Sequence, residues 1–68
     1  MPQPHAEMAQ YFMNHKGYPD LEPFEVTKLD GRDCWYFYYR LPEGVLELEV
    51  LYDHSKSDWS TVVTAFPA

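Results

Sequence analysis

The three histidines of this 68-residue chain are the side chains best suited to bind a metal ion or to transfer protons. His5 and His15 lie ten residues apart in a segment with helical periodicity. At about 1.5 Å per residue, ~15 Å would separate them, which is too far for two ligands of one ion. Cys34 is the only cysteine, so no Cys/His cluster completes a zinc site. The sequence therefore predicts no metal and no other cofactor.

Segment 53–58 places oxygen-bearing side chains at alternate positions, as the start of a calcium-binding loop does. The sixth position of that motif requires glycine, and the twelfth requires a bidentate glutamate. This chain has Asp58 and Thr64 at those positions, and Lys56 would lie inside the site. A polar hairpin loop is the better interpretation.

Tyrosines and an arginine form a second kind of candidate site, in the segment Cys34–Leu41 with its five consecutive aromatic residues. Such a run favours a β-strand, in which successive side chains point to opposite faces. Tyr36, Tyr38 and Arg40 then share one face, and the remaining aromatic residues share the other. Because tyrosine and arginine are enriched at binding hot spots, the first face is a candidate binding surface and the second is predicted to be core.

A single helix is predicted for residues 4–16. Pro4 suits the first turn of a helix, where its missing N–H costs nothing. Apolar and histidine side chains then recur at intervals of three and four residues, including Met8 and Phe12. Gly17 follows as the residue that ends the helix.

Four strands are predicted after the helix, at residues 24–29, 32–41, 45–52 and 59–66. Asp30 and Gly31 predict a two-residue hairpin turn, which sets Val26 opposite Trp35. The same pairing sets Thr27 opposite Cys34, with no histidine nearby. A packing thiol is therefore favoured over a nucleophile.

The loop of the second hairpin decides where two carboxylates lie. A three-residue loop would place Glu47 and Glu49 in the core, whereas a four-residue loop places both on the opposite face. The longer loop is therefore predicted, and it sets Arg40 opposite Glu47 and Tyr38 opposite Glu49. The last strand has apolar side chains on both faces, so its register stays open, and it is either covered on both sides or at a dimer edge.

These elements predict an α+β fold, with one N-terminal helix packed on one face of a four-stranded antiparallel β-meander, and residues 1–68 as a single domain. The predicted core comprises ten apolar side chains from the helix and the first three strands. They are Met8, Phe12, Phe24, Val26, Trp35, Phe37, Tyr39, Leu46, Leu48 and Val50.

The charge of the chain makes one class of partner, nucleic acid, unfavourable. The net charge of −6 disfavours direct nucleic-acid binding, because phosphate contacts need clustered lysine and arginine, and the five basic residues here are scattered. An ordinary acidic surface is favoured over DNA mimicry.

Residues 1–5 lack the features of a secretory signal, and no segment approaches the ~20 apolar residues of a membrane span. With one free cysteine, a complete cytoplasmic product is expected.

A helix followed by an antiparallel sheet is similar in layout to barnase-like and RelE-like endoribonuclease toxins. The resemblance covers layout only and implies an enzyme that draws acid–base and phosphate-binding groups from its sheet. Residues that could take such roles are His54 or His15, Arg40, Thr61 or Thr64, and Glu47 or Glu49. Arg40 is the only cation on the face in question, which conflicts with RNA binding.

The sequence therefore predicts a small, acidic, non-enzymatic protein-binding module of the inhibitor or adaptor type. Its partner is another protein or a second copy of itself, and no nucleic acid or membrane is expected. A phage- or plasmid-encoded accessory protein is one context that would suit it. A merely solvated sheet face and the endoribonuclease remain the alternatives. The predicted binding residues are Tyr36, Tyr38, Arg40, Glu47, Glu49 and Leu51.

Overall fold

The computed structural model describes residues 3–68. Met1 and Pro2, on which part of the expectation about a secretory signal depends, lie outside the described residues. The elements in chain order are the helix α1 (Pro4–His15) and the strands β1 (Glu25–Lys28), β2 (Cys34–Leu41), β3 (Gly44–Asp53) and β4 (Asp58–Pro67). The strands form one antiparallel sheet in the order β1-β2-β3-β4. The predicted α+β meander with an N-terminal helix is confirmed.

Helix α1 ends in a Schellman motif. Gly17 adopts a φ of +94°, a conformation that glycine reaches without steric cost. The Tyr18 N–H donates to the Met13 carbonyl at 2.8 Å, and the Gly17 N–H donates to the Asn14 carbonyl at 3.1 Å. These bonds satisfy two carbonyls of the last turn and direct the chain away from the helix axis. With 12 residues, α1 is too short to cross a membrane, and no helix in the segment 3–68 is long and apolar enough to do so.

Ala9 and Met13 are the fully buried residues of α1, and they pack on one face of the sheet. The partly buried Met8 and Phe12 flank them. Met13 has no exposed surface and was missing from the predicted core. The prediction chose Met8 and Phe12 because they are large and apolar. The line of the helix that contacts the sheet runs through Ala9 and Met13 instead, and the small side chain of Ala9 lets the helix lie close to the strands. The fully buried sheet residues of this core are Phe37, Tyr39, Leu46, Leu48 and Val50.

The register of the first hairpin differs from the prediction by two residues. Val26 lies opposite Phe37 and not opposite Trp35, because residues 29–33 form a longer loop than the predicted two-residue turn. The shift is even, so each side chain keeps its face. Phe24 and Val26 are 49% and 46% exposed, so their predicted place in the core is wrong. Helix α1 packs against β3, and the edge strand β1 lies beyond its cover.

The second hairpin is also shifted by two residues, in the other direction. Its turn comprises only residues 42–43, and Tyr39 lies opposite Leu46. The predicted four-residue loop is wrong, although the faces it assigned to the side chains are right. Arg40 lies opposite Val45 rather than Glu47. Gly44 permits the tight turn with a φ of +146°, and a Cβ there would overlap the Phe66 carbonyl oxygen of β4.

Strand β4, whose register was left open, pairs with β3 along its whole length. Trp59 lies opposite Tyr52 and Val63 opposite Leu48, which puts both on the side of the sheet that α1 covers. The alternate residues Val62 and Phe66 lie on the other side. All the residues of β4 except Trp59 and Thr61 are exposed, because the strand lies at the open edge of the sheet.

Candidate protein-binding face

The six predicted binding residues all lie on the face of the sheet opposite α1, which we call the far face. Strand alternation and the even register shifts place them there together, on the central strands β2 and β3. Within residues 3–68, the one helix packs on the other face and leaves the far face open. The far-face residues of β2 and β3 are Cys34, Tyr36, Tyr38, Arg40, Val45, Glu47, Glu49 and Leu51.

Two tyrosine–glutamate pairs form the centre of the far face. The Tyr38 hydroxyl donates to Glu47 Oε2 at 2.9 Å, and the Tyr36 hydroxyl donates to Glu49 Oε2 at 3.2 Å. Each pair joins residues directly opposite one another on β2 and β3, so the predicted pairing of Tyr38 with Glu49 is wrong. The hydrogen bond to Glu47, together with burial, raises the pKa of Tyr38. These bonds hold the two rings in place across the strands.

Cys34 is only 2% exposed and shares the carboxylate of Glu49 with Tyr36. Its thiol donates to Glu49 Oε2 at 3.2 Å. Burial raises the pKa of the Cys34 thiol, and the hydrogen bond to Glu49 raises it further. Because the thiolate is the reactive form, these surroundings fit a packing thiol better than a nucleophile. The pKa of Tyr36 is raised to about 12 by the neighbouring Cys34, by burial and by Glu49.

Arg40 contacts an aromatic ring in place of the predicted carboxylate. Its guanidinium carbon lies 4.5 Å from the centroid of the Phe24 ring, a cation–π contact. The Phe24 ring is in turn 6.3 Å from that of Tyr38. Phe24 precedes β1, so its side chain does not follow the alternation of that strand. It lies at the border of the far face, whereas alternation predicted that it would lie in the core. Pro23 favours an irregular backbone before the strand, and it is the sequence feature that could have indicated that Phe24 does not follow the alternation of β1.

The far face has an acidic half and an apolar half. Glu25 of β1 joins Glu47 and Glu49 on the acidic half, where Arg40 supplies the positive charge. On the β4 side, Val62 and Phe66 are 55% and 49% exposed. Leu51, also on this face, is partly buried. The surface therefore offers carboxylates, fixed phenols and exposed apolar side chains within one sheet.

The three histidines lie in three separate places. His5 stacks on Trp35, His15 Nδ1 lies 2.9 Å from the Tyr11 carbonyl oxygen, and His54 Nε2 lies 2.7 Å from Asp33 Oδ2. No group of three histidine, cysteine, aspartate or glutamate side chains in the described segment is arranged to hold a metal ion.

The loop between β3 and β4 closes on itself. Asp53 Oδ1 accepts hydrogen bonds from the Ser55 N–H at 2.9 Å and from the Ser55 hydroxyl at 2.6 Å. The bonds from Ser55 lower the pKa of the Asp53 carboxyl. The carboxylate thus serves an Asx turn, which suits the polar hairpin loop that the sequence predicts better than a calcium site.

The residues suggested for ribonuclease chemistry are divided between different parts of the molecule. Glu47, Glu49 and Thr64 share the far face, whereas Thr61 lies opposite Val50 on the face that α1 covers, and His15 lies on α1 itself. Arg40 lies opposite Val45, near the start of β3, whereas His54 follows the end of that strand. His54 follows Val45 by nine positions, which correspond to about 30 Å along an extended chain at about 3.3 Å per residue. The structure therefore does not bring Arg40 and His54 into one site.

Comparisons with known proteins contribute no further information, since no protein-family model, curated protein or solved structure matches this chain.

Proposed function

We propose that the chain is a non-enzymatic protein-binding module of the inhibitor or adaptor type, which binds a basic protein surface with its far face. The observation that carries the proposal is the placement of all six predicted binding residues on the face opposite α1. We also place the protein in the cytoplasm, where the buried thiol of Cys34 stays reduced.

The fixed geometry of the tyrosines supports binding. Tyr36 and Tyr38 are each held by a carboxylate on the neighbouring strand, so their rings lose little conformational freedom when a partner covers them. Tyrosine rings give a large contact area with few rotatable bonds. Both rings are only partly buried in the free protein, so contact area remains for a partner.

The charge of the far face supports a basic partner. Glu47 and Glu49 each accept a hydrogen bond from a neutral phenol, which leaves the negative charge of the carboxylates uncompensated. Lysine or arginine side chains of a partner would contact these oxygens. The net charge of −6 would also speed the encounter with a basic surface at low ionic strength.

The test uses three tyrosine-to-alanine variants and a partner captured from the cells that produce the chain. Tyr36→Ala and Tyr38→Ala should weaken the purified complex by roughly 30-fold or more, the loss expected for a hot spot of about 2 kcal/mol. Tyr11→Ala is the matched control, because Tyr11 is 61% exposed but lies on α1. Calorimetry measures the affinities, and circular dichroism checks that each variant is folded.

Wild-type affinity in both far-face variants would rule the proposal out. An equal loss on Tyr11→Ala would do the same, because the effect would then not be specific to the far face. The affinity of the wild type should also fall as salt is added, and a salt-independent complex would contradict the basic partner.

A further inference from the structure

Strand β4 presents a long row of backbone hydrogen-bonding groups at the open edge of the sheet. The Ala68 N–H donates to the Glu43 carbonyl at 2.9 Å, which marks these two as a hydrogen-bonded pair in line with the β3–β4 register. Because such pairs alternate along antiparallel strands, every second residue of β4 directs its backbone groups to the open side. The residues with an outward N–H are Trp59, Thr61, Val63 and Ala65.

Strand β4 lacks the protection that edge strands ordinarily carry. Apart from Asp58 at its first position, β4 has no charged side chain, and its pairing with β3 runs without a bulge. Pro67 lies only at the last position of the strand. By contrast, the opposite edge strand β1 is protected, because it is only four residues long and carries the charged side chains of Glu25 and Lys28. The open side of β4 is therefore suited to receive another strand.

We propose that two copies of this chain pair through β4, antiparallel, to form a continuous eight-stranded sheet. A two-fold axis perpendicular to the sheet passes between the two copies of Val62 and places both helices on the same side. In this register Trp59 pairs with Ala65 of the second copy, and Thr61 pairs with Val63 of the second copy. All four outward N–H groups of each chain then find a carbonyl.

The chemistry of β4 favours a second copy as its occupant. Two chains that each carry a net charge of −6 repel one another at most surfaces, but residues 59–68 bring no like charges into opposition. Ser60 faces Thr64 of the second copy, a favourable cross-strand pair of hydroxyls. The 55% exposed Val62 packs against itself at the axis. This inference is independent of the proposed function, which rests on the tyrosines and carboxylates of β2 and β3 and not on the backbone edge of β4.

A cysteine cross-link tests the register. In a Cys34→Ala background, Val62→Cys should form a disulfide-linked dimer under mild oxidation, since facing residues of a non-hydrogen-bonded pair have Cβ atoms about 4.5–5.5 Å apart. Ser60→Cys is the matched control on the same strand and face. Its two copies would lie about 13 Å apart at about 3.3 Å per residue, so it should stay monomeric on the oxidised gel. Failure of Val62→Cys to cross-link, or equal linkage of both variants, overturns the pairing.

A proline variant tests the edge itself. Thr61→Pro removes an outward N–H and leaves the ladder with β3 intact, so circular dichroism should show a folded protein. Sedimentation equilibrium should give twice 8.1 kDa for the wild type and 8.1 kDa for Thr61→Pro. Val62→Pro is the control that removes an N–H directed at β3, and it should instead disrupt the fold. A monomeric wild type, or a Thr61→Pro variant that stays dimeric, overturns the proposal.

Discussion

His5 joins the first turn of α1 to the sheet by stacking on Trp35. The two ring centroids are 4.0 Å apart and the planes are within 1° of parallel. Burial lowers the pKa of His5 from its ordinary value near 6.5, because the charged imidazolium needs water that the stack excludes. This contact therefore makes the attachment of the helix sensitive to pH.

We predict that the free energy of unfolding falls as the pH drops from 7 towards 5. Below pH 6.5 the unfolded chain binds a proton at His5 before the folded chain does, so acid favours unfolding. The stability contributed by neutral His5 is complete above pH 6.5 and is lost as the pH falls through the lower folded-state pKa. His5→Phe keeps the ring and removes the titration. Urea unfolding at several pH values should show a flatter profile for this variant, and parallel profiles would contradict the prediction.

At the scale of elements, side-chain alternation explains why the sheet faces could be predicted while both registers were wrong. Glu47 and Glu49 had to avoid the core, and only registers related by an even shift satisfy that condition. Alternation alone cannot choose among those registers, because loop length decides between them. The loop 29–33 is longer than Asp30 and Gly31 suggest, and the turn 42–43 is shorter than predicted.

Residues outside regular elements were harder to place than residues within them. Phe24 lies before β1, so its side chain reaches Arg40 on the far face although alternation assigned it to the core. It was also difficult to predict which strands α1 would cover. Helix α1, with 12 residues, covers the central strands, and the sequence pattern does not say which strand lies beyond its reach. Val26 is exposed for that reason.

Strand β4 passes close to Gly44, at the turn between β2 and β3, but no atom lies close to Gly31. We therefore predict that alanine at Gly44 lowers the free energy of unfolding more than alanine at Gly31 does. Gly44→Ala would force a Cβ into the Phe66 carbonyl and move the end of β4 away from β3. The Cβ of Gly31→Ala would meet no atom within 4 Å, so the only cost of this substitution is the backbone strain of a non-glycine residue at a φ of +72°. We expect Gly44→Ala to be the more destabilising by about 1 kcal/mol or more in urea unfolding, since it adds a steric clash to backbone strain of ~1–3 kcal/mol. Equal losses would show that the approach is not a tight one.

Across residues 3–68, the molecule is a small four-stranded sheet that α1 covers on one face. A chain of this length buries only about 60% of the surface that its unfolded form exposes, so its stability margin is small. The two surfaces meet at Val62, but Tyr36, Tyr38 and the carboxylates of Glu47 and Glu49 lie on the central strands β2 and β3, which allows one partner to bind there while a second copy pairs with the backbone edge of β4. Pairing at the edge would also place two far faces side by side in one continuous sheet.

Edge pairing predicts that thermal stability depends on protein concentration. Association of folded chains lowers the free energy of the native state but not that of the unfolded chain, so the wild-type Tm should rise as the concentration increases. With a domain this small, each ~1 kcal/mol gained should raise the Tm by about 4–8 °C. The Thr61→Pro variant is the control, because it loses an outward N–H and should melt at one temperature at every concentration. A wild-type Tm that is the same at micromolar and millimolar concentration would show that the open edge of β4 contributes nothing to the stability of this fold.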